Sequence, residues 1–168
     1  QKNTGMYDAI CQGFSFASGD VFAWINADDI YLPGALNTVH LCFSYNKVFW
    51  LKGVTLYTSS LTTLIKTDSS NLYDSTLIKK GYYGTLAAGF IQQDSVFWRK
   101  EVWDGISSQI NLSYKYAGDY QFWILMSNLY QLTQINVCLS AFRKHDGQLS
   151  GDFSKYKDEM EMICKIPL

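Results

Sequence analysis

Val21-Phe22-Ala23-Trp24-Ile25 is an unbroken apolar run of strand length, and Asn26-Ala27-Asp28-Asp29 follows it without a spacer. A strand that is apolar on both faces is buried on both, as in a parallel sheet covered by helices. The flanking segments supply such helices. Met6, Ala9, Ile10, Gly13, Phe14 and Ala17 recur at helical spacing, with Thr4 placed to cap and Asp8 in the first turn, where negative charge is favoured. Beyond the strand, Pro33 suits the first turn of a second helix, whose buried face reads Leu36, Val39 and Phe43.

The rest of the chain continues the α/β pattern. Val48 to Leu51 reads as a strand closed by Gly53, and Thr55 to Ser59 with Leu61 to Ile65 as a short hairpin. From Lys66 to Gly84 the periodicity is lost among Asp, Ser, Asn and Gly, which predicts a surface excursion. Val96 to Trp98 is a short strand, Glu101 to Trp103 a helical turn, Tyr120 to Tyr130 a buried helix and Leu132 to Phe142 a late strand. Phe153, Tyr156, Met160 and Ile163 define an amphipathic final helix. No repeat or linker interrupts residues 1–168, so a single domain is expected.

The net charge of −1 argues against a partner bound through many phosphates, nucleic acid included, while leaving room for one diphosphate. No apolar run reaches the length of a membrane-spanning helix, and no secretory signal pattern is present. Cys11, Cys42, Cys138 and Cys164 form no Cys-x-x-Cys pair and stand in apolar contexts, so buried free thiols and a reducing cytoplasm are expected. Most of the aromatic residues, 16% of the chain, are expected in the core.

Four segments carry side chains suited to chemistry. Asp28 and Asp29, at the carboxyl end of a buried strand, can hold Mg2+ or Mn2+ through hard oxygen ligands, or one of them can cap the helix near Pro33. Asp119 opens the buried 120–130 helix and can act as a general base on a hydroxyl, or as an N-cap. Arg143 and Lys144 can neutralise a diphosphate, and His145 can ligate metal or donate to phosphate; a plain polar loop is the competing reading. Gln92-Gln93-Asp94-Ser95, ahead of Phe97-Trp98, offers amide and hydroxyl groups beside aromatic rings, a combination that suits sugar hydroxyls.

In order and spacing these segments resemble the family 2 glycosyltransferases of the GT-A fold. Gly5 to Phe14 is similar to that family's helix entering the donor site. Ala17-Ser18-Gly19-Asp20, the apolar strand and Asn26 to Leu36 are similar to its strand and metal-binding "DxD" region. Phe90 to Lys100 resembles its acceptor-side segment, Ala117 to Trp123 the segment with the catalytic base, and Phe142 to Ser150 the closing motif of one bacterial-type branch.

The resemblance implies an α/β fold of GT-A type, a mixed, Rossmann-like sheet flanked by helices, truncated at its N-terminus. It implies an inverting, metal-dependent transfer of sugar from a nucleotide-sugar donor to a sugar or lipid-linked glycan acceptor, in cell-surface polysaccharide or glycolipid synthesis. Mn2+ or Mg2+ would be the cofactor, held by Asp28 with Asp29 in support. Asp119 would be the catalytic base. Asp8, Asn26, Asp28, Arg143 and His145 would face the donor, and Gln93, Ser95 and Trp98 the acceptor. The implied location is the cytoplasm, at the inner face of the membrane without spanning it.

Two departures shape these expectations. Asn26 stands where the motif's leading Asp is usual, so Asp28 becomes the key ligand. The family's first parallel strand is not found upstream of the 21–26 strand, which leaves an edge open to another chain and thus to self-association. A non-catalytic module or inactive fragment is the second expectation, and a sugar-phosphate nucleotidyltransferase the third.

Overall fold

The computed structural model describes residues 5–59, 63–68, 72–84, 89–145, 148 and 153–164. Among the described residues, six strands and six α-helices follow in the order α1 (Met6–Phe16), β1 (Val21–Phe22), β2 (Ile30–Tyr31), α2 (Ala35–Phe43), β3 (Trp50–Thr58), β4 (Leu64–Thr67), α3 (Ser75–Lys79), β5 (Val96–Arg99), α4 (Lys100–Ile106), α5 (Gly118–Leu129), β6 (Leu132–Arg143) and α6 (Phe153–Ile163). They build one mixed sheet in the order β1-β5-β3-β6-β2, with β4 beside the second half of β3. β3 and β6 pair in parallel; β1–β5, β3–β5, β3–β4 and β2–β6 are antiparallel.

Alternation along the strands divides the core between the two faces of the sheet. Trp50, Val96 and Trp98 point into one cluster with Tyr7, Phe14, Phe122 and Trp123, beneath α1, α4 and α5. Leu51 and Phe97, their neighbours in sequence, point the other way and meet Ala35, Val39 and Phe43 of α2. The first cluster is dense in aromatic rings: Phe14 contacts Phe22, Trp24, Trp98 and Trp103, so packing accounts for many of the aromatic residues. A smaller cluster of Ala117, Tyr120 and Met160 seats α6 on α5.

Several expectations need correction. The apolar run after α1 is a strand over Val21–Phe22 alone, and its ladder is antiparallel; once Phe22 has paired with Trp98 the chain leaves β5. β1 lies at one border of the sheet. α2 starts after Gly34, whose φ of 83° sets the helix phase, so Ala35 is buried and Leu36 is 60% exposed. The buried face of α1 is Tyr7 and Phe14, while Met6 and Ala9 face solvent. Thr4 lies outside the described residues, and Gly5 is the N-cap.

The 66–84 excursion is more ordered than its composition implies. It holds α3 and the buried side chains Asp68, Tyr73 and Ile78; residues 69–71 lie outside the description. All four cysteines are free, but none is fully buried: Cys138 is exposed and Cys11, Cys42 and Cys164 are half-buried. Among the described residues no helix is long and apolar enough to cross a membrane.

Candidate active site

The segment after β1 closes as a tight turn, with the Asp29 amide donating to the Asn26 carbonyl at 3.1 Å. That geometry sends the two carboxylates in different directions. Asp29 is buried: its Oδ1 accepts from the Arg143 amide at 3.0 Å and its Oδ2 from Asn26 Nδ2 at 3.3 Å. Burial pushes its carboxyl above the usual range. Asp28 keeps its carboxylate at the surface, where Oδ2 lies 2.7 Å from His145 Nε2 and 3.3 Å from Gln148 Nε2. The hydrogen bond from His145 holds its carboxyl below the usual range.

The sheet makes this meeting possible. β2 pairs Ile30 with Ala141 and Tyr31 with Ser140, so the turn just before β2 sits against the end of β6. His145 follows two residues after that end and reaches back over the turn. Gln148 Nε2 also donates to the Arg143 carbonyl at 2.5 Å, and the His145 amide to Gln148 Oε1 at 3.3 Å, so the Gln148 side chain ties back to the end of β6. Arg143 Nε is buried without a hydrogen-bond partner in the described structure. Asp146, Gly147 and residues 149–150 of the closing motif lie outside the description.

Asp119 is the second residue of α5, whose N-cap is Ala117; the carboxylate therefore caps nothing in the N-cap sense. Its Oδ1 accepts from the Tyr120 amide at 2.8 Å and from the hydroxyls of Tyr7 and Tyr156, each at 3.3 Å. Oδ2 receives no hydrogen bond among the described residues. Burial raises the carboxyl to about 6, where a carboxylate is both ionised near neutrality and basic enough to take a proton. Tyr7 reaches Asp119 because Gly118 is small: a Cβ there would lie 2.6 Å from the Tyr7 ring. Beside Tyr156, the half-buried rings of Phe90 and Phe153 form an aromatic wall, with centroids 5.6 Å and 6.4 Å from its own.

The structure therefore groups Asn26, Asp28, Asp29, Arg143 and His145 around one turn. Asp8 lies in the first turn of α1 and accepts from Gln12 at 3.1 Å. The acceptor-side expectations fare differently. Trp98 has no exposed surface and packs against Phe14, Trp24 and Trp123, so it offers no face to an acceptor. Ser95 is equally buried, bonded to Thr55 Oγ1 at 2.8 Å and receiving Lys52 Nζ at 3.3 Å. Gln93 is 8% exposed, and both polar atoms of its amide lack a partner in the described structure. Sequence alone assigns Tyr7, Tyr156, Phe90 and Phe153 no individual role in a site, since an aromatic residue at core spacing looks like packing. The aromatic content beside Asp119 was the one available signal.

No family model matches the sequence, and no curated protein matches it. Solved structures do. Staphylococcus aureus TarS (residues 1–349) aligns over 97% of this chain and 46% of its own, at 12% identity and a TM-score of 0.57. Glucosyl-3-phosphoglycerate synthase from Mycobacterium tuberculosis, solved with Mn2+, uridine-diphosphate-glucose and phosphoglyceric acid, aligns over 98% of this chain and 56% of its own, at 16% identity and 0.55. The same enzyme with phosphoglyceric acid gives 100%, 58%, 15% and 0.57. The fold is the GT-A fold. The chain spans about half the length of these structures. Within the GT-A sheet, the turn after β1 and the end of β6 bring Asp28 and His145 together from opposite ends of the sequence.

Proposed function

We propose that this chain is the core of a glycosyltransferase that moves a sugar from a nucleoside-diphosphate donor to an acceptor hydroxyl with inversion. The observation that carries the reading is the 2.7 Å contact between Asp28 and His145. That contact is a hydrogen bond; its two atoms, a carboxylate oxygen and an imidazole nitrogen both partly open to solvent, would part slightly to take a divalent ion in place of the shared proton. Mg2+ takes oxygen ligands, so the nitrogen favours a transition ion such as Mn2+. Among the described residues no group of three or more His, Cys, Asp or Glu converges, so the protein would supply two ligands and the donor's phosphates the others. Asp29, with both oxygens engaged inside the fold, sets the turn and is not proposed as a ligand. When bound, the ion supplies positive charge to the leaving diphosphate.

The chain's own residues do the remaining work. Asn26 and Arg143 line the donor side with Asp28 and His145, and Asp8 at the start of α1 is proposed beside them. Asp119 takes the proton of the acceptor hydroxyl on Oδ2 while Tyr7 and Tyr156 hold Oδ1. The acceptor oxygen bonds to the anomeric carbon as the bond from that carbon to the diphosphate breaks on the opposite face. The Phe90–Phe153 wall suits the apolar face of a sugar acceptor. A product of cell-surface polysaccharide or glycolipid type, formed at the cytoplasmic face of a membrane, accords with the sequence resemblance.

Calorimetric titration with uridine diphosphate tests this, with and without Mn2+. Binding is expected only with the ion, weakened at least about tenfold by Asp28→Ala and by His145→Ala. Binding indifferent to Mn2+ and to both substitutions would overturn the reading. The second reading, a module that binds without catalysis, draws on the half-length match; Mn2+-dependent nucleotide binding with no transfer from any donor would favour it.

A further inference from the structure

Glu159 lies on α6 and plays no part in the chemistry above. Its Oε1 accepts from the Lys115 amide at 2.8 Å, and its Oε2 from the Tyr116 and Ala117 amides at 2.7 and 2.8 Å. These are the residues that lead into α5 and end at its N-cap. A helix start leaves backbone donors unpaired, and successive amides converging on one point make a seat for an anion. Here the anion comes from another helix. On the other side of the same turn, the Tyr116 carbonyl accepts from the Tyr7 hydroxyl at 3.2 Å.

α6 meets the Asp119 neighbourhood twice. Tyr156 donates to Asp119 Oδ1, and Glu159, three positions on and so on the same helical face, holds the backbone just ahead of it. Three charge-assisted bonds fix the turn in one conformation. With the turn fixed, the first residues of α5 leave it at one angle, and Asp119 Oδ2 points where no described group competes for it.

We infer that Glu159 is a positioning residue for the base: by clamping the amides of residues 115–117 it aims the free oxygen of Asp119 at the acceptor, so that seating α6 and completing the base are one event. The inference rests on the proposed role of Asp119. It assigns Glu159 no contact with substrate.

The test uses Glu159→Ala and Glu159→Gln. The amide of Gln keeps one oxygen, which can still accept from Tyr116 and Ala117, so it is expected to lie between wild type and Ala. Lys157→Ala, which removes an exposed pair with Glu161 on the same helix, is the control. Three readouts are taken: hydrogen exchange of amides 115–117, kcat against donor KM, and the acid limb of the pH–rate profile. For Glu159→Ala we expect exchange of those amides to rise and kcat to fall roughly 10–100-fold with donor KM unchanged, the range that base alignment commands. We also expect the acid limb of Glu159→Ala to fall below that of Glu159→Gln, which loses the same charge but keeps the turn, because a loosened turn admits water to Asp119. Among the described residues the ionisable groups facing Asp119 are Tyr7 from α1 and Tyr156 with Glu159 from α6, and both phenols titrate far above this window. A merely structural role would lower the folded fraction and leave the limb in place.

Unchanged kcat and acid limb in Glu159→Ala overturn the inference, as does a loss that tracks folded fraction alone. If wild type transfers no sugar, the proposed function falls and the base with it. If wild type transfers sugar and Glu159→Ala does so equally well with its 115–117 amides unprotected, only this inference falls.

Discussion

Replacing Asp119 by Asn keeps the shape of the side chain and the bonds from Tyr7, Tyr156 and the Tyr120 amide, while removing its capacity to take a proton. Transfer is expected to fall by about 10²–10⁴-fold with donor affinity retained, the usual worth of a placed general base. Single-turnover kinetics together with nucleotide titration separate the two effects; equal losses in both would show that Asp119 supports the fold and does no proton chemistry. Asp28 and Asp29 show how far such roles could be read beforehand. Their place after an apolar strand was legible, because a polar pair behind a buried run is a local pattern. Which carboxylate turned outward was not, because the answer lies in the Arg143 amide, brought beside Asp29 only by the β2–β6 ladder. The same limit applies to Ser95 and Trp98. Hydroxyls and indoles suit sugars and cores alike, and only the packed sheet shows that both lie inside it.

At the scale of elements, β3 carries a buried cation. Lys52 is 3% exposed, and its ammonium meets Asp68 at 2.6 Å, the Gly53 carbonyl at 2.7 Å and Ser95 Oγ at 3.3 Å. Burial lowers its pKa. Asp68 Oδ1 also takes the Thr55 amide at 2.7 Å, so this one carboxylate ties the segment after β4 to the middle of β3. Lys52→Met strands a buried carboxylate and should cost about 3–5 kcal/mol; Asp68→Ala, which orphans both the ammonium and the Thr55 amide, should cost more. Urea midpoints at equal slope measure both, and a cost below about 1 kcal/mol for Lys52→Met would refute the account. The 66–84 segment looked like surface because Asp and Ser are counted polar wherever they stand. The partner that internalises Asp68 sits in β3, outside any local window. β6, α5 and α6 were legible for the opposite reason, since their patterns run long enough to declare a period within the element itself. For α2 the period was right and the starting phase was not, because Gly34 delays the first helical residue.

For the molecule as a whole, buried acids set the response to pH. Asp94 has no exposed surface and bonds to the Ser140 hydroxyl; burial raises its carboxyl to about 7. Its unfolded value is about 3.9, so the folded state holds the proton more tightly. The stability this contributes is complete below about pH 4 and is lost as pH rises through about 7. About three units correspond to roughly 4 kcal/mol. Asp119 adds to the slope with the same sign. Urea unfolding should therefore show greater stability at pH 5 than at pH 8. Asp94→Asn, which keeps a polar group at Ser140 and cannot ionise, should flatten most of the difference; an unchanged slope would remove Asp94 from the account.

The parallel ladder between β3 and β6 is continuous from Trp50 to Lys52 and again from Thr55 to Thr58, with its register shifted between the two stretches. Across that step β6 places Ile135, Asn136 and Val137 opposite the single residue Gly53, where a Cβ would come within 2.4 Å of the Leu139 side chain. The strand is thus two ladders in series, and only the second leads to Arg143 and His145. A change of chain length before the step would be taken up there rather than at the residues that meet Asp28. Such a joint separates the scaffold half of the sheet from the half that carries the site, so residues 135–137 are where an inserted or deleted residue should be tolerated best.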